Sequence, residues 1–450
     1  MKPMHDDRIG AISRRQFLAA AGSAAAAWAP PWGMTLAQDR GKAQPVAPSE
    51  RITLGFIGMG TMNRAHLNYF LRQTDVQVLA VCDVDKNRRE HAREIVEKHY
   101  AQQKKAGQYR GCHAYNDYRE LLQRGDLDAV VIATPDHWHA IPIIEACKAK
   151  KDIYCEKPLT LTIHEAKLCI EAVRKYDRVF QTGSQQRSSP EFRLACELVR
   201  NGRIGKVTEV YVNVGGPSRW CDLPEEPLEP GLDWDRWLGP APLRPYNSVL
   251  SPRGVHNHFP NWRAYREYSG GAMTDWGAHH FDIAQWGLDM DRSGPVEIIP
   301  PDNPKAHKGV RFVYPHGVVV IHADQYAPNK GVNGVAFIGT EGKVFVNRGY
   351  LATEPVELKN QPLSDKDQRL YVSPGHQRDW LECIKSRRRP ICDVEIGARS
   401  VTVCHLGNLA YWNHKRLKWD PQAWRFVGDE EANRWLDRER RDPYRLPSLT

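Results

Sequence analysis

Three things are missing from this sequence. After the first 40 residues no apolar run approaches the roughly 18 or more residues needed to cross a bilayer, so nothing in the body of the chain reads as a membrane helix. No two of the ten cysteines stand at CxxC spacing, which excludes a zinc ribbon or a thioredoxin-type redox motif built from neighbours. Cys82, Cys155 and Cys404 sit in apolar runs and read as small core residues. The formal charge of +9 is spread along the chain instead of gathered in a basic block, which suits an anionic ligand and argues against nucleic acid.

What is present is a globular composition, 41% hydrophobic and 26% charged, in a chain of 450 residues, longer than one compact core usually holds. Two domains and terminal extensions are expected: a signal segment over 1–37, a lead-in over 38–50, domains over 51–184 and 185–425, and a tail over 426–450. Ser13-Arg14-Arg15-Gln16-Phe17-Leu18 precedes the alanine-rich stretch Ala19 to Ala29, and Thr35-Leu36-Ala37 offers a small-residue cleavage site. That order marks a twin-arginine export signal, so a periplasmic or exported protein is expected, with the twin-arginine translocase as a partner. Because that route carries folded proteins, a cofactor could be loaded before export.

Ile52 to Ile57 is a run of strand formers that stops at Gly58-Met-Gly60, and a helical segment begins near Met62. Strand, glycine turn and helix together predict a phosphate cradle: Gly58 permits the turn, Gly60 lets the backbone approach a pyrophosphate, and Thr61 and Met62 open the helix. Asn63 stands where a third glycine is usual. The next strand, Val76 to Asp83, places a carboxylate about 20 residues on, where it can accept both ribose hydroxyls and repel a 2′-phosphate. NAD is therefore expected over NADP, although Lys86, Arg88 and Arg89 keep NADP open; the alternative role for Asp83 is to cap the helix that follows.

Helices over 86–104, 116–124, 138–149 and 162–176, with strands at 128–134, 152–155 and 178–182, describe a doubly wound parallel sheet of the Rossmann type. Ligands bind at the carboxyl ends of such strands, which here offer Thr134, Pro135, His137, Glu156 and Lys157. After a helix over 190–201 the pattern changes to strand-like runs at 207–214, 310–314, 318–323 and 335–338, predicting a separate α+β domain with a large sheet. The Pro-, Trp- and Gly-rich stretch 217–260 should form loops over the sheet face. Two helices are expected in 376–420, the second packed in the core, and a solvated helix over 429–441.

The motifs GFIGMGTMN from Gly55, VCDVD from Val81, ATPDHWHA from Ala133, CEKPLT from Cys155 and GGAMTDWGAHHFDIAQW from Gly270 stand in an order that resembles the glucose-fructose oxidoreductase, inositol dehydrogenase and MocA (Gfo/Idh/MocA) family. The resemblance covers nearly everything after residue 50. It implies that the second sheet is mostly antiparallel, that the cofactor lies between the domains, and that the substrate is a carbohydrate or polyol. It also implies catalytic roles for three residues. His279 would take the hydroxyl proton, Lys157 would hydrogen-bond the same oxygen, and Asp275, four residues before His279, would fix the substrate or the imidazole. Arg187, Trp220, His258, Trp262 and His280 are the candidate substrate residues. His256, His258, His279 and Asp282 match no compact ligand spacing, so no metal is expected. A homo-oligomer is the expected assembly.

Overall fold

The computed structural model describes residue 47 and residues 50–326 and 332–449. The signal segment 1–37 lies outside the described residues, as does nearly all of the lead-in.

Six parallel strands form the first sheet: β1 Ile52–Ile57, β2 Val76–Cys82, β3 His113–Tyr115, β4 Ala129–Ile132, β5 Asp152–Cys155 and β6 Phe180–Thr182, in the order β3-β2-β1-β4-β5-β6. The order reverses between β1 and β4, the switch point where such sheets open a crevice for ligands. β4 is buried throughout, as a strand covered on both faces by helices must be. The helices are α1 Thr61–Leu71, α2 Lys86–His99, α3 Ala101–Lys105, α4 Tyr118–Leu122, α5 Ala140–Lys148 and α6 Ile163–Lys175. The helix expected over 86–104 is broken at Tyr100, whose hydroxyl is turned inward to accept from the Val78 N–H at 3.3 Å. That expected over 116–124 is trimmed by its cap, Asp117, which accepts from the Arg119 N–H. Thr162 and Glu165 cap each other at the start of α6, two of its otherwise unpaired N–H groups being satisfied reciprocally.

The second domain follows α7 Pro190–Arg200. Its sheet has nine strands: β7 Val207–Asn213, β8 Glu297–Ile299, β9 Arg311–Val313, β10 Val319–His322, β11 Gly334–Gly339, β12 Lys343–Asn347, β13 Tyr350–Glu354, β14 Leu417–Asp420 and β15 Arg425–Phe426. The order is β13-β12-β11-β7-β10-β9-β8-β14-β15, antiparallel except where β10 runs parallel to β7. Alternate residues of these strands, Val210, Val212, Phe312, Val335 and Phe337 among them, form one core with the later helices. The helices of this half are α8 Trp234–Leu238, α9 Ala272–Asp275, α10 Gly277–Gly287, α11 His376–Ser386, α12 Val394–Asn413 and α13 Glu430–Asn433, of which α11 packs instead in the core of the first domain through Trp380, Leu381 and Cys383. Every residue of α10 is buried, and α12 packs in the core as expected.

Two expectations need correction. The stretch 217–260 is largely loop, as expected, but it is more than a cover for the sheet. With the residues just after it, it folds around an apolar cluster, Leu232, Trp237, Tyr246, Leu250, Trp262 and Tyr268, and it crosses to the first domain. There the Lys86 N–H donates to the Gly231 carbonyl at 3.0 Å and the Asp233 N–H to that of Val84 at 3.0 Å. Nor is 426–450 a free tail with a solvated helix. α13 is a single turn, Phe426 and Ala432 are buried, and Tyr444 joins the core of the first domain. Arg440 donates to Glu165 at 2.9 Å, so charges that looked solvated fasten the C-terminus to α6.

Candidate active site

One cleft of about 700 Å³ runs from the carboxyl ends of β1 and β2 to the start of α10. At its first end the chain leaves β1 through Gly58 with φ +82°, where an added Cβ would lie 2.9 Å from the Thr134 backbone nitrogen. Gly60 has φ −65°, and an added Cβ would meet no atom within 4 Å because it would project into the cleft. α1 begins at once with no side-chain cap and no acidic residue in its first turn, so its positive end stays available to an anion. Asn63 is fully buried, and its Nδ2 donates to the carbonyls of Ile57 at 3.1 Å and Gly58 at 2.8 Å. The departure from the usual glycine thus braces the turn.

Asp83 accepts from the Met59 N–H at 2.6 Å and from the Asp85 N–H at 2.8 Å while lining the cleft. The helix-capping role belongs to Asp85, which accepts from Asn87 and Arg88. The nearby cations are largely engaged: Arg88 donates to Ser251 Oγ at 3.2 Å and to the Pro252 carbonyl at 2.5 Å, and Arg89 to Asn116 at 3.0 Å. A carboxylate fixed by backbone N–H groups at the cleft wall, with committed arginines beside it, fits two ribose hydroxyls better than a 2′-phosphate. The open space above Gly60 and the buried, partnerless Thr134 Oγ1 on the same wall are features a dinucleotide would fill and satisfy.

At the other end stand Lys157, Asp275 and His279. Lys157 follows β5, and its Nζ donates to Asp275 Oδ1 at 2.7 Å and to the Asp275 carbonyl at 2.8 Å. Two of three ammonium protons are used, leaving one for a ligand. Burial alone would raise the pKa of Asp275, but the charges of Lys157 and Arg263 outweigh it and the group sits below its ordinary value. Glu156 is likewise held low against burial, chiefly by His66, whose Nε2 lies 2.8 Å away. His279 goes the other way: burial, then the charges of Lys157 and Arg348, lower it well below 6.5, so the imidazole is neutral. Its Nδ1 is sealed without a partner. Asp136 is pushed from 3.8 to about 7 by burial, with Ser269 Oγ donating to it at 2.6 Å.

Two family models match this chain: an oxidoreductase family NAD-binding Rossmann fold over residues 52–184, and the C-terminal alpha/beta domain of the same family over 211–446. The chain belongs to the Gfo/Idh/MocA oxidoreductase family. Its first domain is therefore the family's NAD-binding domain. Among relatives of this Gfo/Idh/MocA member, a myo-inositol 2-dehydrogenase of Thermotoga maritima is 31% identical over 186 residues, 41% of this chain and 49% of the relative. An alpha-N-acetylgalactosaminidase of Shewanella oneidensis is 31% identical over 165 residues, 36% of this chain and 35% of the relative. The chain thus spans about half or less of the length of these curated relatives. The fold is shared with the WlbA dehydrogenase of Bordetella pertussis, solved with NADH and UDP-GlcNAcA, at TM-score 0.56 and 17% identity over 82% of this chain and 98% of that one.

Of the residues expected at the cofactor, Gly58, Gly60, Thr61, Met62, Asp83, Thr134, Pro135, Glu156 and Lys157 line the cleft of this family member. His137 does not: its ring is buried between Trp237 and Tyr268, with Nε2 on the Trp237 carbonyl at 3.0 Å. Asp275 and His279 both reach the cleft although the single helix expected from Thr274 is broken at Trp276 into α9 and α10.

Of the substrate candidates only Trp262 lines the cleft. Arg187 is a structural cation, 1% exposed, bridging Asp282 at 2.8 Å and Asp291 at 2.7 Å. That pairing removes Asp282 from any metal set, and among the described residues no group of three His, Cys, Asp or Glu side chains is arranged to hold an ion. His280 lies on the far side of α10 from the cleft, sealed beside Phe192 and Trp276. Trp220 is 64% exposed and stacks on Arg266 outside the cleft. His258 presents its carbonyl to Thr61 Oγ1 at 3.0 Å while its ring is exposed.

Asp136, Arg263, Trp276 and Arg348 line the cleft without having been expected there. Asp136 could have been read from its place between Pro135 and His137 after β4. Arg348 could not, since it sits on a hairpin turn of the other sheet.

Proposed function

We propose that this protein oxidises a hydroxyl of a sugar, polyol or glycoside by hydride transfer. The observation that carries the reading is that a single cleft joins the glycine cradle and Asp83 to Lys157, Asp275 and His279. NAD held at the cradle supplies the hydride acceptor. The remaining Lys157 N–H donates to the substrate oxygen and stabilises the negative charge that develops there. Neutral His279 accepts the hydroxyl proton through the ring nitrogen that is not sealed. Asp275 holds the Lys157 ammonium toward the substrate through the two hydrogen bonds described. Trp262, which lines the cleft, offers an apolar surface for a sugar ring.

The export signal in 1–37 supports delivery by the twin-arginine translocase to the periplasm or beyond, with NAD loaded first. A second reading is that NAD stays bound and is recycled, giving epimerisation, transhydrogenation or oxidative glycoside cleavage. The specific support is the way 217–260 closes over the adenosine end: Thr61 Oγ1 donates to the His258 carbonyl, Arg64 to that of His256 and Arg88 to that of Pro252. Cofactor exchange would require these contacts to part, and the similarity to an alpha-N-acetylgalactosaminidase fits the same reading. A homo-oligomer remains the proposed assembly.

Lys157→Ala tests the proposal. Turnover is expected to fall by about 100-fold or more, the usual effect of deleting one donor to a developing oxyanion. Nicotinamide released on denaturation should remain at the wild-type level. Full activity in the variant would remove Lys157 from the chemistry, whereas sugar binding without any turnover in the wild type would favour a carbohydrate-binding protein on a dehydrogenase fold.

A further inference from the structure

Arg348 occupies the turn between β12 and β13, far from the motifs that build the rest of the cleft. The turn is fixed from outside, since the Gly349 N–H donates to Glu191 Oε1 at 2.9 Å near the start of α7. The guanidinium is thereby delivered to the cleft wall beside Trp276, over whose ring it stacks at 5.0 Å. Its other polar neighbour is the Gln186 amide, whose oxygen comes 3.3 Å from Nε when the amide nitrogen faces the His279 carbonyl.

The other cations at this end are matched. Lys157 pairs with Asp275 at 2.7 Å, and Arg263 lies 3.6 Å from the same carboxylate. Among the described residues Arg348 forms no ion pair, although Glu156 and Asp275 are near enough to be felt electrostatically. It has five donors in a planar fork suited to a two-oxygen anion. Its charge also works against the proposed base, lowering the affinity of His279 for a proton. Arg348 is exposed, so an anion entering the cleft can reach the guanidinium.

We infer that the substrate carries an anionic group, a carboxylate on the sugar or glycoside, which Arg348 binds through its fork as the reacting hydroxyl meets Lys157. This rests on the proposed hydroxyl oxidation and adds the substrate's class: a uronate or aldonate in place of a neutral sugar. A purely structural arginine that stacks on Trp276 is the competing role.

Matched pairs decide between them. Holoenzyme is mixed with glucose or glucuronate, with galactose or galacturonate, and with phosphate and sulfate esters of the same sugars, while reduction of the bound nicotinamide is followed. The acidic member of a pair is expected to be favoured at least ~10-fold in kcat/KM, the scale of a charge-assisted hydrogen-bonded pair. Preference for the uronates places the charge on a carboxylate; preference for the esters overturns that assignment in favour of another anion. In Arg348→Gln the acid-to-neutral ratio should collapse by a similar factor, with Arg348→Lys recovering part of it. Melting temperature and bound nicotinamide measured on both variants separate loss of recognition from loss of fold. Reduction by neutral sugars with no preference for their acids, or a ratio unchanged in Arg348→Gln, overturns the inference and leaves hydroxyl oxidation standing. Failure of every sugar to bind or to reduce the nicotinamide overturns both.

Discussion

Gly58 and Gly60 are two residues apart, yet alanine should act on them in opposite ways. At Gly58, φ is +82° and the added Cβ would sit 2.9 to 3.0 Å from backbone atoms of Ala133 and Thr134. Neither strain can be relieved by a rotamer change. The left-handed conformation costs about 1–2 kcal/mol for a residue with a Cβ, and displacing β4's exit adds a comparable amount, so about 2–4 kcal/mol is expected for Gly58→Ala. At Gly60, φ is −65° and the Cβ meets nothing within 4 Å, so Gly60→Ala should fold within about 0.5 kcal/mol of wild type. Its methyl group instead enters the cleft and holds a pyrophosphate off the N–H groups of α1. Losing one charge-assisted hydrogen bond of about 1.5–3 kcal/mol corresponds to roughly 10- to 100-fold in NAD affinity. Denaturant melts of cofactor-free protein and calorimetric NAD titration measure the two effects separately. The reasoning fails if Gly60→Ala binds NAD normally, or if Gly58→Ala is as stable as wild type.

Three further outcomes follow from the charges. Arg187→Ala leaves Asp282 buried without its main partner and should cost about 3–5 kcal/mol in thermal or denaturant unfolding, with no specific rise in KM because Arg187 does not line the cleft. His279 works as a base when neutral and its pKa lies below 6.5, so kcat/KM should stay level as pH falls through 6.5 and drop only beneath it. An acid limb centred above 6.5 would show that another group takes the proton. Asp136 holds its proton more tightly folded than unfolded, so the stability this lends is complete below 3.8 and lost as pH rises through about 7. Asp136→Asn should therefore gain on wild type by up to ~4 kcal/mol between acidic and mildly alkaline melts, and a pH-independent difference would contradict the burial argument.

Local chemistry made part of this molecule readable in advance. The β1 run, the glycine turn, the carboxylate ending β2 and the helix behind Thr162 each follow from neighbouring residues, because a strand period, a positive φ or a cap is set within a few positions. β3 gives no signal in the sequence, since three residues carry too little alternation. Arg187, His280 and His137 lie away from the cleft for another reason. Each is a polar residue within two positions of one that lines the cleft, and only tertiary contacts decide whether it faces the cleft or the core. The partners of Arg187 lie 95 and 104 residues away. His280 is turned from the cleft by one helical step after His279. The stretch 217–260 looked like loops because its apolar residues follow no period, although enough of them converge to make a core. Arg348 belongs to an edge hairpin whose strands give no chemical signal at all.

The most direct test of the central claim is a single-turnover experiment on purified holoenzyme. Its bound nicotinamide is watched by near-ultraviolet absorbance and fluorescence while neutral and acidic sugars, polyols and glycosides are added without free cofactor. Hydroxyl oxidation predicts that at least one of them converts the bound nicotinamide to its reduced form, and that Lys157→Ala, carrying the same cofactor, shows no such change on the same timescale. Equal reduction in wild type and Lys157→Ala, or none with any sugar in a protein proven to hold oxidised NAD, would contradict the account.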